Sequence, residues 1–215
     1  MCNRNEQHGS ASQIRKIAAN MKRGIKTTPA TDNLPPQDSV YPDQDAPIIR
    51  NGEGDELELI MARWGFPPIP SEKAPITNIR NLQSNWWKNV NGEFLTEKKY
   101  RCLVPFTAFA EPVRDSTWFV TPETEVPCFA GIWRPWEGEG LAEQPSQKRR
   151  AREKRTWTLF SFLTTDANAI VKPIREKAMP VILTLPDEQT MWLNGDSSSL
   201  ALQRPLANEQ LQIRH

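Results

Sequence analysis

The sequence predicts an α+β protein, a single domain over residues 1–215 built on a curved, barrel-like, mainly antiparallel sheet with a few short helices. Three observations carry this. Short runs rich in β-branched and aromatic residues recur along the chain, bounded by turn residues. Pro, at 19 residues, is about twice its usual share, and Trp, at 8, is abundant, whereas only 38% of residues are hydrophobic. That composition suits short strands and fixed turns, not a helix bundle. A chain of 215 residues is long enough for one sizeable core.

The first element is an amphipathic helix over Gln13–Arg23. Ile14, Ile17, Ala18 and Met21 fall at helical spacing behind Ser12, and Gly24 is the stop. Its basic face (Arg15, Lys16, Lys22, Arg23) reads as solvated. Residues 25–47 carry five prolines and few apolar side chains, which predicts an extended surface loop. Leu57–Met61 follows the turn-forming Asn51-Gly52-Glu53-Gly54 and reads as a strand leading into residues 62–66. Ile76–Arg80 lies between that run and Tyr100–Val104, with Trp86 and Trp87 after it; Pro105 interrupts the later run before it resumes as Phe106–Glu111. Trp118–Val120, Cys128–Trp133 and Trp157–Thr164 are further β-type runs. Thr165 and Asp166 then predict the cap of a short helix through Val171, Pro180–Leu185 a strand, and Asp187–Leu193 another helix. Residues 137–155 predict a mobile basic loop, a long hairpin excursion with six basic residues among the eight of 148–155.

Formal net charge is +1, so any nucleic-acid contact must come from a local patch. The three cysteines are far apart and form no CxxC pair, which argues against a disulfide framework and a zinc site. A cytoplasmic protein is expected, with no membrane span, no metal and no cofactor.

Chemically, the pointed feature is Cys2. Removal of Met1 would leave it with a free α-amine and a thiol on adjacent carbons. Such an amine has a pKa of about 7.7–8.0, well below that of lysine, so a useful fraction is neutral near pH 7. It can condense with an aldehyde to an imine, and the thiol can close on the imine carbon to form a thiazolidine. The plain alternative is an ordinary residue on a frayed terminus.

Met1-Cys2, MARWGF (61–66), TNIRN (77–81), RCLVPFTAFAEP (101–112), FAGIW (129–133), FLTTDAN (162–168), KAMPVIL (177–183) and ALQRPL (201–206) occur in this order along the chain. Together they resemble the SRAP family, the SOS response-associated peptidases or abasic-site processing proteins. The resemblance implies a sheet framing a groove for single-stranded DNA containing abasic sites. It also implies covalent capture of the ring-opened sugar aldehyde by Cys2, on a monomer that is nucleoid-associated when bound. By the same resemblance, Asn78 would hydrogen-bond near Cys2, Glu111 would transfer protons, and Arg80 would hold a backbone phosphate. Trp64 and Pro42 would pack against bases beside the lesion, with core packing the other reading of Trp64, and Arg4 is counted with the DNA-binding residues.

Two positions depart from the family pattern. Asn3 replaces the usual glycine after the cysteine, and Arg175 stands where the family places a histidine before MPVIL. Arginine pairs with phosphate but is effectively never deprotonated, so Arg175 would join the catalytic set without shuttling a proton. Two other classes stay open, a cysteine-dependent (auto)peptidase and a non-catalytic single-strand-binding module; lyase activity is a further possibility within the first class.

Overall fold

In the computed structural model, residues 2–68, 74–81, 85–112, 116–141, 152–195 and 197–214 are described; among them the side chains of 86–88, 90, 95, 140, 141, 152 and 197 are not. In chain order the elements begin with β1 (Asn5–Gln7), α1 (Ala11–Asn20), β2 (Ile25–Lys26), α2 (Pro29–Asp32) and β3 (Gln37–Val40). Then come β4 (Asp45–Asn51), β5 (Leu57–Trp64), β6 (Asn78–Ile79), α3 (Asn85–Thr96), β7 (Arg101–Pro105) and β8 (Ala108–Glu111). The rest are β9 (Thr117–Val120), β10 (Cys128–Leu141), β11 (Arg152–Thr165), β12 (Met179–Pro180), β13 (Ile182–Leu183), α4 (Pro186–Asn194) and β14 (Gln212–Arg214).

Five strands close a barrel. The order β11-β10-β7-β4-β5 is antiparallel throughout, and β5 returns to β11 through parallel pairs Leu159↔Arg63 and Phe160↔Trp64. A second sheet runs β14-β9-β8-β1-β3. The architecture is therefore α+β, as the sequence predicts, with four α-helices among the described residues.

Alternation along the barrel strands divides their side chains between two clusters. One gathers Ile49, Leu57, Leu59, Leu103, Ala130, Ile132 and Leu159 beneath Ile14 and Ile17 of α1 and Trp192 of α4. The other gathers Ile48, Ala62, Trp64, Cys102, Val104, Phe129, Phe160 and Phe162 with Phe109 and Phe119 of the second sheet, and it includes Cys2.

Several boundaries differ from the sequence reading. The first helix starts at Ala11, because Ser10 and Gln13 form a reciprocal capping box that Ser12 does not. Residues 25–47 are not a loop throughout: they contain β2, α2, β3 and the start of β4. Pro29 sits at the first turn of α2, where a helix tolerates it, and Pro47 lies in β4 beyond the Ile49 and Arg50 pairs with β7. No helix follows Thr165. Asn168 Oδ1 accepts from the backbone N–H groups of Ile170 and Val171, folding residues 169–174 into turns. The strand expected over Pro180–Leu185 is two short ones, because Val181 donates to Leu163 O and accepts from Ala130 N as the chain passes from β11 to β10.

The excursion at 137–155 begins and ends as a β-ribbon, with register from Trp136↔Trp157 to Leu141↔Arg152; residues 142–151 lie outside the described residues. Trp86 and Trp87 fall in α3, their side chains likewise outside.

Trp64 is a core residue, 0% exposed, stacked on Phe160 and Phe162 at 6.3 and 5.2 Å, with its indole N–H donating to Thr77 O at 3.1 Å. Trp64→Ala is expected to destabilise the fold by about 3–5 kcal/mol, a loss that denaturant unfolding measures. A change below about 1 kcal/mol would place the indole outside the core.

Candidate functional site

Cys2 is held in the second sheet by its neighbours in sequence. β1 pairs antiparallel with β8 through Asn5↔Phe109 and Glu6↔Ala108, and Ala110 N donates to Arg4 O at 3.0 Å. Continued along both strands, that register sets Glu111, the last residue of β8, level with Asn3. Cys2 and Glu111 are thus brought together by strand pairing across about a hundred residues of chain.

Cys2 is 1% exposed and its thiol donates to Arg4 O at 3.5 Å. Burial, then the charge of Glu111, pushes the thiol well above its ordinary pKa. Glu111 is also 1% exposed. Burial raises its carboxyl pKa, while the α-amine at the start of the chain and the Arg175 guanidinium pull the other way. Arg175 Nε lies 4.0 Å from Glu111 Oε2.

Asn78 arrives on β6, a two-residue strand parallel to β11 with Asn78 beside Phe162. Its Nδ2 donates to Cys2 O at 2.9 Å and to Thr77 Oγ1 at 2.7 Å. Arg80, two residues on, reaches Thr165 O at 3.2 Å, Lys177 O and the Asp166 carboxylate.

Arg80, Asp166, Lys172, Arg175, Glu176, Lys177 and Ala178 line an open cleft of about 630 Å³. Four basic side chains against two acidic ones leave it net positive on a near-neutral chain. Arg175 joins the two halves of the site, lining the cleft and touching Glu111.

The structure therefore brings together Cys2, Asn78, Glu111, Arg175 and Arg80. The other three expected positions lie differently. Trp64 has no exposed face for a base, because it is buried in the aromatic stack beneath the site. Pro42 is half-buried on the turn before Asp43, whose N–H donates to Trp64 O at 2.8 Å. Arg4 is engaged on the second sheet, bonding Ser39 and Ser116 and lying 4.7 Å over the Trp118 ring. Missed from sequence were Thr77, whose hydroxyl bonds both Asn78 and Asn3, and the cleft residues Asp166, Lys172 and Lys177. The cluster Lys172, Arg175, Lys177 was a usable signal; Thr77 offered none, being a threonine in a β-type run.

Cys102 and Cys128 are buried within the barrel, and burial raises both thiols. Neither lines the cleft.

A barrel of this topology carrying a buried second-residue cysteine under an asparagine and a glutamate defines a class that comparison identifies. The chain belongs to the SOS response associated peptidase (SRAP) family, which it matches over residues 1–215. Its fold is similar to that of a Bacteroides thetaiotaomicron protein, with TM-score 0.68 at 20% identity over 100% of this chain and 92% of that one. It is also similar to a Bordetella bronchiseptica protein, at TM-score 0.68 and 18% identity over 99% and 98% of the two chains. A phage-related protein from the same organism gives TM-score 0.63 and 15% identity over 99% and 93%. No curated protein matches the chain significantly. No helix among the described residues is long and apolar enough to cross a membrane.

Proposed function

We propose that this chain captures abasic sites in single-stranded DNA by forming a thiazolidine through Cys2 once Met1 is removed. The observation that carries this is the placement of buried Cys2 between Asn78 and Glu111, with Arg175 leading out to a basic cleft. The ring-opened sugar presents an aldehyde. The Cys2 amine adds to its carbon to give a carbinolamine, which loses one water to become an imine. The thiol then adds across C=N, sulfur bonding to carbon and its proton ending on nitrogen, so one water is lost and nothing is oxidised or reduced.

The protonation states support that order. A thiol held protonated by burial is a poor first nucleophile, whereas it can close on an imine that the amine has already made. Glu111, its pKa raised by burial, is placed to protonate the departing hydroxyl and then accept the thiol proton. The same buried thiol weighs against a cysteine peptidase, which needs a thiolate, a base and an oxyanion site.

Intact mass spectrometry, alone and after incubation with an abasic oligonucleotide, tests the reading. Loss of Met1 followed by a DNA-sized gain less one water is expected. A mature protein that gains no mass would overturn it.

Non-covalent binding is expected to fall with salt through a few phosphate contacts, each contributing about −0.7 to the slope of log K against log salt. Arg80 already grips one carboxylate, Asp166, which a phosphate would replace. Arg80→Ala is expected to flatten the slope by about one contact in a fluorescence titration with undamaged single strand. An unchanged slope would remove Arg80 from the phosphate-binding set.

A further inference from the structure

Cys2, Asn78, Thr77 and Asn3 are joined by a run of hydrogen bonds. Asn78 Nδ2 donates to Cys2 O at 2.9 Å and to Thr77 Oγ1 at 2.7 Å, and Thr77 Oγ1 donates to Asn3 Oδ1 at 2.9 Å. Thr77 is 5% and Asn78 7% exposed, and the backbone of Thr77 is anchored by the indole N–H of Trp64.

Proton count gives this run a direction. A hydroxyl has one proton. With that proton committed to Asn3, the Thr77 oxygen can meet Asn78 only as an acceptor, so the amide must turn its NH₂ towards Thr77. The Cys2 carbonyl demands the same from its side. Both Asn78 N–H groups are thereby used, and its Oδ1 is buried with no hydrogen-bond partner among the described residues. The free capacity of Asn78 is an acceptor.

That polarity matters for an amine nucleophile. A neutral amine has two N–H donors and one lone pair. An acceptor beside it holds an N–H and leaves the lone pair for the aldehyde carbon; a donor in the same place would occupy the lone pair and block attack. We propose that Thr77 and Asn3 are positioning residues that lock the Asn78 amide with its oxygen towards the reacting nitrogen of Cys2. The proposal rests on the covalent-capture reading. It gives Asn3, the residue that departs from the family glycine, a role of its own.

Single-turnover crosslinking to an abasic single-stranded oligonucleotide tests it, with maximal rate and half-saturating DNA concentration measured separately. Thr77→Val is expected to lower the maximal rate about tenfold at unchanged half-saturation, the loss of one orienting hydrogen bond. Thr77→Ser keeps the hydroxyl and is expected to stay near the parent rate. Asn3→Gly, at a half-buried position, is expected to slow the reaction about threefold. In an Asn78→Ala background, Thr77→Val is expected to have no further effect, because the group it orients is gone. Equal slowing in both backgrounds, or a Thr77→Val protein as fast as the parent, would overturn the proposal alone. A parent protein that forms no adduct would overturn the capture reading and this proposal together.

Discussion

Replacing Cys2 with alanine is expected to abolish the heat-stable adduct with abasic single-stranded DNA. The side chain supplies the sulfur of the ring, and without it the amine can reach only an imine, which water reverses. Cys2→Ser should allow at most a labile imine or a weaker oxygen-containing ring, since a hydroxyl is the poorer nucleophile. A protein that retains any residue ahead of Cys2 should behave like the alanine variant, because its cysteine nitrogen is then an amide with no basic lone pair. Cys2 is buried, so a melting curve must accompany the assay; Cys→Ala removes one sulfur atom and should leave the barrel folded. Denaturing gels and intact mass read the adduct. A stable adduct from protein still carrying Met1 would sink the mechanism.

Glu111→Gln is expected to slow crosslinking by about 10²–10⁴-fold, the usual worth of a general acid–base group. Glutamine fills the same space and can hydrogen-bond, but it exchanges no proton. The same substitution should act on stability in the opposite sense. Burial raises the folded-state pKa of Glu111, so between the ordinary carboxylate pKa and the raised value the folded state binds more protons than the unfolded one. Stability from this group is full below that window and is lost as pH rises through it. Glu111→Gln is therefore expected to be more stable than the parent above the window and nearly neutral below it. Slower chemistry with greater stability near pH 7 is the joint signature, and a variant that is equally fast would remove Glu111 from the proton-transfer role.

Arg175 sets the other half of this pair. Its permanent charge favours the Glu111 carboxylate and cannot shuttle a proton. Arg175→His is expected to leave DNA affinity similar or slightly weaker while raising the rate of adduct formation or release, with a new inflection near pH about 6.5. Rates across pH 5.5–8.5 that match the parent would show that this position does no proton transfer.

Much of the architecture was legible because it is written in local patterns. Runs of β-branched and aromatic residues located the barrel strands β5, β7, β10 and β11, helical spacing located α1, and α4 falls where a short helix was expected. Errors fell where a tertiary partner outweighs local preference. The Pro-rich 25–47 stretch reads as loop, yet β2 and β3 join the edges of two sheets and the start of β4 pairs with β5 inside the barrel. Trp64 reads equally as a stacking platform or a core residue, and the enclosing Phe160 and Phe162 decide for the core. A single sequence does not say which face of a strand meets which neighbour.

What the sequence determined by itself is the chemistry available: a thiol at Cys2, a carboxylate at Glu111, an amide at Asn78, and guanidinium groups at Arg80 and Arg175. Those are properties of side chains and survive in any fold. The tertiary structure decided their states. Pairing of β1 with β8 sets Glu111 beside Cys2, and burial there raises both acids. The parallel docking of β6 on β11 brings Asn78 and Thr77 to the same point, and the hydrogen bonds among Cys2, Asn3, Thr77 and Asn78 fix which end of the amide is left free. Protonation and hydrogen-bond polarity depend on desolvation and on partners distant in sequence, so only the folded chain could settle them.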